Sequence, residues 1–282
     1  MTVGILGLGL IGGSLAKALS ARTDHRILGA DKDPSVLSAA RLSGAISGDL
    51  TDERLTECDL LLLALPPAPL ISEAQRVFPL MRPGAVAVDC CGVKRAVVGA
   101  LSPLAKAAGV RYVGGHPMAG KERGGFENAG ADLFSGASMI LTPTKAEEDL
   151  LPSLKALFLS AGFAAVRVSD PEEHDRLIAL TSQLAHVVSG AYVKSPTARS
   201  HAGFSAGSFQ DMTRVALLDE AMWCDLMMLN RDHLSAELAL LIRHLNDYQE
   251  ALDAGDAPRL SALLKEGRAR KQALLSERSD RP

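Results

Sequence analysis

The 282-residue chain has no block of like charge, no C-x-x-C pair and no long uncharged apolar run, and each absence closes off a class of function. A formal net charge of −3, without clustered lysine and arginine, leaves no electrostatic footprint for nucleic acid. The four cysteines are Cys58, Cys90, Cys91 and Cys224, and the adjacent pair is poorly placed to bridge. They read as reduced thiols of a cytoplasmic protein, with no metal site. No stretch of about eighteen uncharged apolar residues is available to span a membrane. The apolar start, Met1–Leu19, lacks a basic segment, carries five glycines and is interrupted by Lys17, so it does not read as a secretory signal. Internal repeats and low-complexity segments are missing too. What remains, 47% apolar and 22% charged residues, suffices for two ordinary globular domains.

The first half alternates short apolar runs with amphipathic segments. Val3–Leu6, Arg26–Ala30, Leu60–Leu65, Ala85–Asp89 and Val110–Val113 read as buried strands. Ile11–Arg22, Pro34–Leu42, Leu70–Met81 and Lys94–Ala108 read as the helices between them. Such alternation predicts βαβ units and an α/β Rossmann-type parallel sheet. Met139–Leu141 and Ala164–Val168 add later strands, with a helix near Glu147–Ser160 between them. The period changes at Ser169-Asp170-Pro171, and beyond it only helical patterns appear. The expected division is therefore an α/β dinucleotide-binding domain over 1–169 and an all-α domain over 170–282. In the latter, Met227, Leu234, Leu238, Leu241, Leu245, Tyr248 and Leu252 form a narrow apolar seam. That seam suits either a helix against a second subunit or an ordinary core helix. The polar tail Glu277–Pro282 is expected to fray.

Gly7-Leu8-Gly9-Leu10-Ile11-Gly12 fits G-x-G-x-x-G, directly after the first strand and opening a helix. Gly7 permits the tight turn, Gly9 lets the backbone approach a pyrophosphate, and Gly12 allows close helix–strand packing. The helix N-terminus then faces the phosphates. Asp31 ends the next strand about twenty residues on, placed to accept hydrogen bonds from both ribose hydroxyls and to repel a 2′-phosphate. NAD is favoured over NADP, although neighbouring Lys32 could soften that preference. At the carboxyl ends of further strands, Leu65, Pro66 and Asp89 complete the cofactor candidates.

In a doubly wound sheet those carboxyl ends face the bound cofactor, and there the chain reads Gly114-Gly115-His116-Pro117-Met118-Ala119-Gly120-Lys121-Glu122. His116 sits where a general base for alcohol oxidation is needed, with an ordinary pKa close to working pH. At this point the sequence resembles the prephenate and arogenate dehydrogenases, whose catalytic histidine motif looks like Gly-Gly-His-Pro-Met-Ala-Gly. Thr181-Ser182-Gln183-Leu184-Ala185-His186 resembles the family's Ser-His-Leu-Pro-His segment. Ser208-Phe209-Gln210-Asp211-Met212-Thr213-Arg214-Val215-Ala216 resembles its Phe-x-Asp-x-Thr-Arg-x-Ala segment, and Met222-Trp223 follows. The resemblance covers nearly the whole chain.

It implies that His116 takes the C4-hydroxyl proton of a small dicarboxylate substrate during NAD-dependent oxidative decarboxylation. Arg214 would bind a substrate carboxylate, with Ser182, Gln183 and His186 lining the same pocket and Lys121 and Glu122 at its entrance. The family's helical domain dimerises, so a homodimer through 170–282 is expected, with Trp223 reaching the partner's pocket. An arginine fork matches a carboxylate bidentately, which lysine cannot do. Arg214 could instead form a surface ion pair with Asp211.

Two positions depart from the family pattern. In Asp89-Cys90-Cys91-Gly92-Val93-Lys94, Gly92 stands where a serine is usual, so only backbone is offered to the substrate there. Gln183 replaces a histidine and cannot titrate. Prephenate and arogenate remain open as substrates. A β-hydroxyacid dehydrogenase would carry a catalytic lysine on its helices, for which Lys194 is the nearest candidate. A sensor without turnover would bind NAD and convert nothing. The short stretch after the helical segments predicts no appended regulatory module, so tyrosine inhibition would have to act at the active site.

Overall fold

A buried parallel strand needs apolar side chains on both faces, and the first half of this chain supplies them. The computed structural model describes residues 1–121 and 123–279. Among these, eight strands form one sheet: β1 (Thr2–Leu6), β2 (Arg26–Ala30), β3 (Gly48–Asp49), β4 (Leu60–Leu63), β5 (Val86–Asp89), β6 (Arg111–Pro117), β7 (Ser138–Thr142) and β8 (Ala165–Val168). The strand order is β3-β2-β1-β4-β5-β6-β7-β8, and every pairing is parallel except β6 with β7. The helices are α1 (Leu10–Arg22), α2 (Pro34–Leu42), α3 (Pro67–Val77), α4 (Arg95–Ala107), α5 (Leu151–Ser160), α6 (Pro171–Ile178), α7 (Leu184–Tyr192), α8 (Gly207–Thr213), α9 (Glu220–Leu229), α10 (Arg231–Asp253) and α11 (Ala257–Ser279).

Alternation along each strand sorts the side chains into two layers. Val3, Ile5, Leu60, Leu62, Val88 and Val113 pack with Leu15 and Leu19 of α1 and with Leu154, Leu157 and Phe158 of α5. Leu28, Leu61, Leu63, Ala87 and Tyr112 pack with Leu70 and Val77 of α3 and with Val97 and Leu101 of α4. Cys90 belongs to the first layer and Cys91 to the second, so the adjacent thiols face opposite sides of the sheet. Both are free, and burial pushes the Cys91 thiol up to about 11.

Three local features differ from the sequence expectation. The two-residue β3 is too short to show a period. Strand β6 continues through His116 to Pro117, because β7 pairs with it antiparallel and sets His116 opposite Ile140. The apolar seam starting at Met227 is broken at Asn230, which caps α9 before α10 begins.

The compact units do not divide at 169/170, where the period changes. Met1–Arg231 forms one and Asp232–Pro282 the other. Residues 171–230 stay with the sheet because Asp175 of α6 accepts hydrogen bonds from the Lys94 and Arg95 N–H groups, at 2.7 and 2.9 Å. In the second unit, α10 and α11 turn at Gly255 (φ +60°), and the Tyr248 hydroxyl donates to the Leu263 carbonyl at 3.3 Å. The tail expected to fray continues α11 to Ser279, and 280–282 lie outside the described residues. No described helix is long and apolar enough to cross a membrane.

Leu62 is fully buried at the centre of the sheet. Leu62→Ala should therefore lower the unfolding free energy by about 2–5 kcal/mol, measured as a lower urea midpoint at unchanged slope.

Candidate active site

The glycine-rich turn is built as its spacing requires. Gly7 has φ +88°, and a Cβ there would run into the Ala64 carbonyl oxygen. A Cβ at Gly12 would strike the Gly7 carbonyl oxygen and lie 3.0 Å from Ala64 Cβ, so α1 can cross β1 this closely only with glycine. At Gly9 nothing lies within 4 Å of the Cβ position, which leaves an open approach to the backbone. Gly9 also caps α1 without a side chain, so the first N–H groups of that helix are presented to this opening. Asp31 holds the turn from β2: its Oδ2 accepts from Leu8 N at 2.7 Å and its Oδ1 from Asp33 N at 3.0 Å. Each carboxylate oxygen keeps lone-pair capacity for a ribose hydroxyl. A dinucleotide therefore fits the residues present.

From this turn a cavity of about 730 Å³ opens along the carboxyl ends of the strands. Gly9, Leu10, Ile11, Leu65, Pro66 and Gly92 line one part of it, and His116, Lys121, Ser182, Gln183, His186, Arg214 and Trp223 line the rest. Leu8 is fully buried in the core and supports the turn from beneath. Gly7, Gly12 and Asp31 stand outside these walls. Glu122 lies outside the described residues.

Asp89 corrects the sequence reading. It is completely buried and does not line this cavity. Its carboxylate accepts from the Lys94 ammonium, from the Tyr112 hydroxyl at 2.6 Å, and from the Cys91 and Gly115 N–H groups at 2.8 and 3.1 Å. It is a strut that ties the end of β5 to β6, not a cofactor ligand.

Above that strut stands His116, half-buried, with Gly92 beside it. A Cβ on Gly92 would lie 3.9 Å from His116 Nε2, an ordinary contact distance, and His116 itself lines the cavity. On the other side, His116 Nδ1 is 2.9 Å from His174 Nε2, and His174 Nδ1 is 2.7 Å from Asp175 Oδ1. His174 and Asp175 are buried on α6, and neither drew notice in the sequence. The available signal was their position: His174 precedes the core residue Ile178 by four, so it falls on the helix's apolar stripe. Loss of hydration holds the His116 pKa well below the ordinary histidine range, and the neighbouring His174 and Lys94 push the same way. Burial also lowers His174, against the opposing pull of Asp175. Burial would raise Asp175, but hydrogen bonds from His174 and from the Arg95 and Lys94 N–H groups outweigh it and hold the carboxyl low.

The helical wall owes its shape to a π-helical turn at Ala179–Gln183, between α6 and α7. Such bulges re-aim side chains. Here the turn brings Ser182 and His186 to the cavity, with His186 Nδ1 donating to the Ser182 carbonyl at 2.9 Å. Trp223 packs against His186 with ring centroids 3.7 Å apart and planes tilted by 31°. It thus lines the cavity of its own chain, where the sequence reading had sent it to a partner. Gln183 also reaches the wall, but its amide is committed to the Leu226 carbonyl at 3.1 Å and to Asn230 at 2.9 Å. The expected substrate ligand is a brace between the π-helical turn, α9 and Asn230. Arg214 is exposed at the cavity wall, and Lys121 donates to the Asn128 carbonyl at 2.7 Å. Lys194 is exposed and outside the walls.

Two family profiles match the chain in tandem. "Prephenate dehydrogenase, nucleotide-binding domain" covers residues 15–166, and "Prephenate dehydrogenase, dimerization domain" covers residues 170–266. The chain belongs to the prephenate dehydrogenase family. It is 31% identical to a cyclohexadienyl dehydrogenase of Zymomonas mobilis over 99% of this chain and 98% of that one. With a prephenate dehydrogenase of Bacillus subtilis it shares 30% identity over 94% of this chain and 73% of the relative. The crystal structure of an A. aeolicus prephenate dehydrogenase in complex with hydroxyphenyl propionate and NAD+ superposes with a TM-score of 0.84 at 28% identity, covering 97% of this chain and 98% of that one.

The depressed imidazoles link the site to stability. Below about pH 6.5 an unfolded histidine binds a proton that folded His116 and His174 do not, so stability rises with pH there. Urea midpoints should therefore fall as pH drops from 7 to 5, and the slope should flatten in His116→Gln. An unchanged slope would contradict the burial of a neutral pair.

Proposed function

We propose that the chain is an NAD-dependent prephenate dehydrogenase, oxidising and decarboxylating prephenate to 4-hydroxyphenylpyruvate. The observation that carries this reading is one cavity lined by His116, whose Nδ1 is engaged by His174, by Arg214 and by Gly9 of the glycine-rich turn. Bound NAD supplies the hydride acceptor. The protein's own share is to bind, align and hold a proton. His116 Nε2 accepts the proton of the C4 hydroxyl, Arg214 pins a carboxylate, and Ser182 and His186 bound the substrate's other end. Loss of carbon dioxide aromatises the ring, so positioning and one base suffice.

Charge favours prephenate over arogenate. Lys121 and Arg214 face the cavity, and Asp219 is the one acid among the described lining residues. Asp219 Oδ1 already caps α9 by accepting from Met222 N at 2.9 Å. A dianion meets complementary charge there, whereas the ammonium of arogenate gains little. Asp31 at the end of β2 favours NAD over a 2′-phosphorylated cofactor. The functional division falls at 169/170, with 170–282 serving substrate and dimerisation in a cytoplasmic homodimer. Ile242, Leu245 and Leu252 of α10 are 47–62% exposed and lie on one side of the helix, an apolar face of the kind a second copy covers.

NADH formation assayed with both substrates and both cofactors should be fastest with prephenate and NAD. Tighter binding of NADP than NAD in a fluorescence titration would overturn the role given to Asp31. His116→Asn should cost about 10²–10⁴ in turnover, and a near-normal rate would remove it as the base. Arg214→Gln should raise KM roughly ten- to a hundredfold, the equivalent of one charge-assisted contact.

A further inference from the structure

We infer that His174 and Asp175 act on the reaction through His116, fixing which nitrogen is basic and holding the substrate's proton until it is returned. The inference rests on the prephenate dehydrogenase reading for its substrate, but its geometry does not. Proton positions follow from Asp175 outward. A carboxylate that accepts from two backbone N–H groups can only accept again, so His174 Nδ1 carries a hydrogen and donates it at 2.7 Å. His174 Nε2 is then a lone pair, and across 2.9 Å it can only accept from His116 Nδ1–H. That leaves His116 Nε2 unprotonated and facing the cavity. One buried charge sets two tautomers in series.

The overall reaction releases no proton, which gives this chain its use. As hydride departs from C4, the O–H bond breaks toward His116 Nε2 and its electron pair completes the ring carbonyl. His116 Nδ1–H can pass to His174 Nε2 in the same motion, so the positive charge rests on His174 beside the Asp175 carboxylate. When the ring carboxylate leaves as carbon dioxide, its C–C electron pair flows through the ring to that oxygen, and the proton returns from His116 Nε2. Atoms and charge balance with no added donor.

The charged groups acting on this pair are Lys94 and Asp89 from beneath and Asp175 from α6, with Tyr112 and Cys91 bonded to Asp89 and Arg95 of α4 paired with Asp175. Lys94 and Asp89 offset one another in a buried ion pair, and the acid in contact with His174 is Asp175, which also pairs with Arg95 at 3.5 Å.

Nitrogen-15 spectra of the imidazoles in resting enzyme, assigned with His116→Gln and His174→Gln, read the tautomers without substrate. Both rings should be neutral Nδ1–H tautomers at pH 7. A His116 ring protonated at Nε2 would overturn the assignment whatever the substrate proves to be. Asp175→Asn should switch the His174 tautomer, cut turnover at least tenfold and move the acid limb of kcat/KM to lower pH, because the protonated pair loses its counter-charge. An unmoved limb would reduce Asp175 to a brace for α4. Should that variant fail to fold, His174→Gln decides: its carbonyl can hold His116 Nδ1–H but cannot carry the proton. It should keep the KM and lose at least tenfold in kcat, and a wild-type kcat would overturn the relay.

Discussion

Two buried carboxylates under one imidazole determine how the rest of this molecule is arranged. Asp89 and Asp175 are both fully inaccessible to solvent, and each holds several donors from separate segments. Removing a partner from such a site typically costs about 3–5 kcal/mol, because it strands a charge in low dielectric. The donors are therefore fixed relative to one another: the start of α4, the end of β6 and the first helix after the sheet. His116 is set at their junction. The glycine-rich turn is positioned by a third aspartate, Asp31, from the neighbouring strand.

Backbone elements were legible where burial imposes a period. Strands β1, β2, β4, β5 and β6 are packed on both faces, which writes them as continuous apolar runs bounded by Gly, Pro or Asp. The three glycines of the turn each meet the steric condition their spacing implied. Strand β3, with two residues, leaves no such trace. Nor does the π-helical turn at Ala179–Gln183, since one extra residue in a helix changes no composition.

The site was legible for residues that face the cavity and opaque for those that support them. His116 sits at a strand end amid glycines, and Arg214 falls within a recognisable segment. Asp89 looked like a cofactor ligand because it ends a strand, but Lys94, five residues on, folds back under it. Gln183 looked like a substrate contact because it replaces a histidine, yet Asn230 and the Leu226 carbonyl take its amide. His174 and Asp175 follow Glu172 and Glu173 in the first turns of α6 and drew no notice. Their role depends on contacts with residues eighty positions away, such as Asp175 with Arg95. Pairings at that separation leave no local pattern.

The claim that tests most directly is the facing of His116 Nε2 and substrate across the cavity. A crystal structure of the enzyme with NAD and a hydroxyphenyl analogue of the product should place the analogue's hydroxyl about 2.6–3.2 Å from His116 Nε2, with a carboxylate on Arg214. An analogue whose hydroxyl lies elsewhere while the imidazole keeps its bond to His174 would contradict the account.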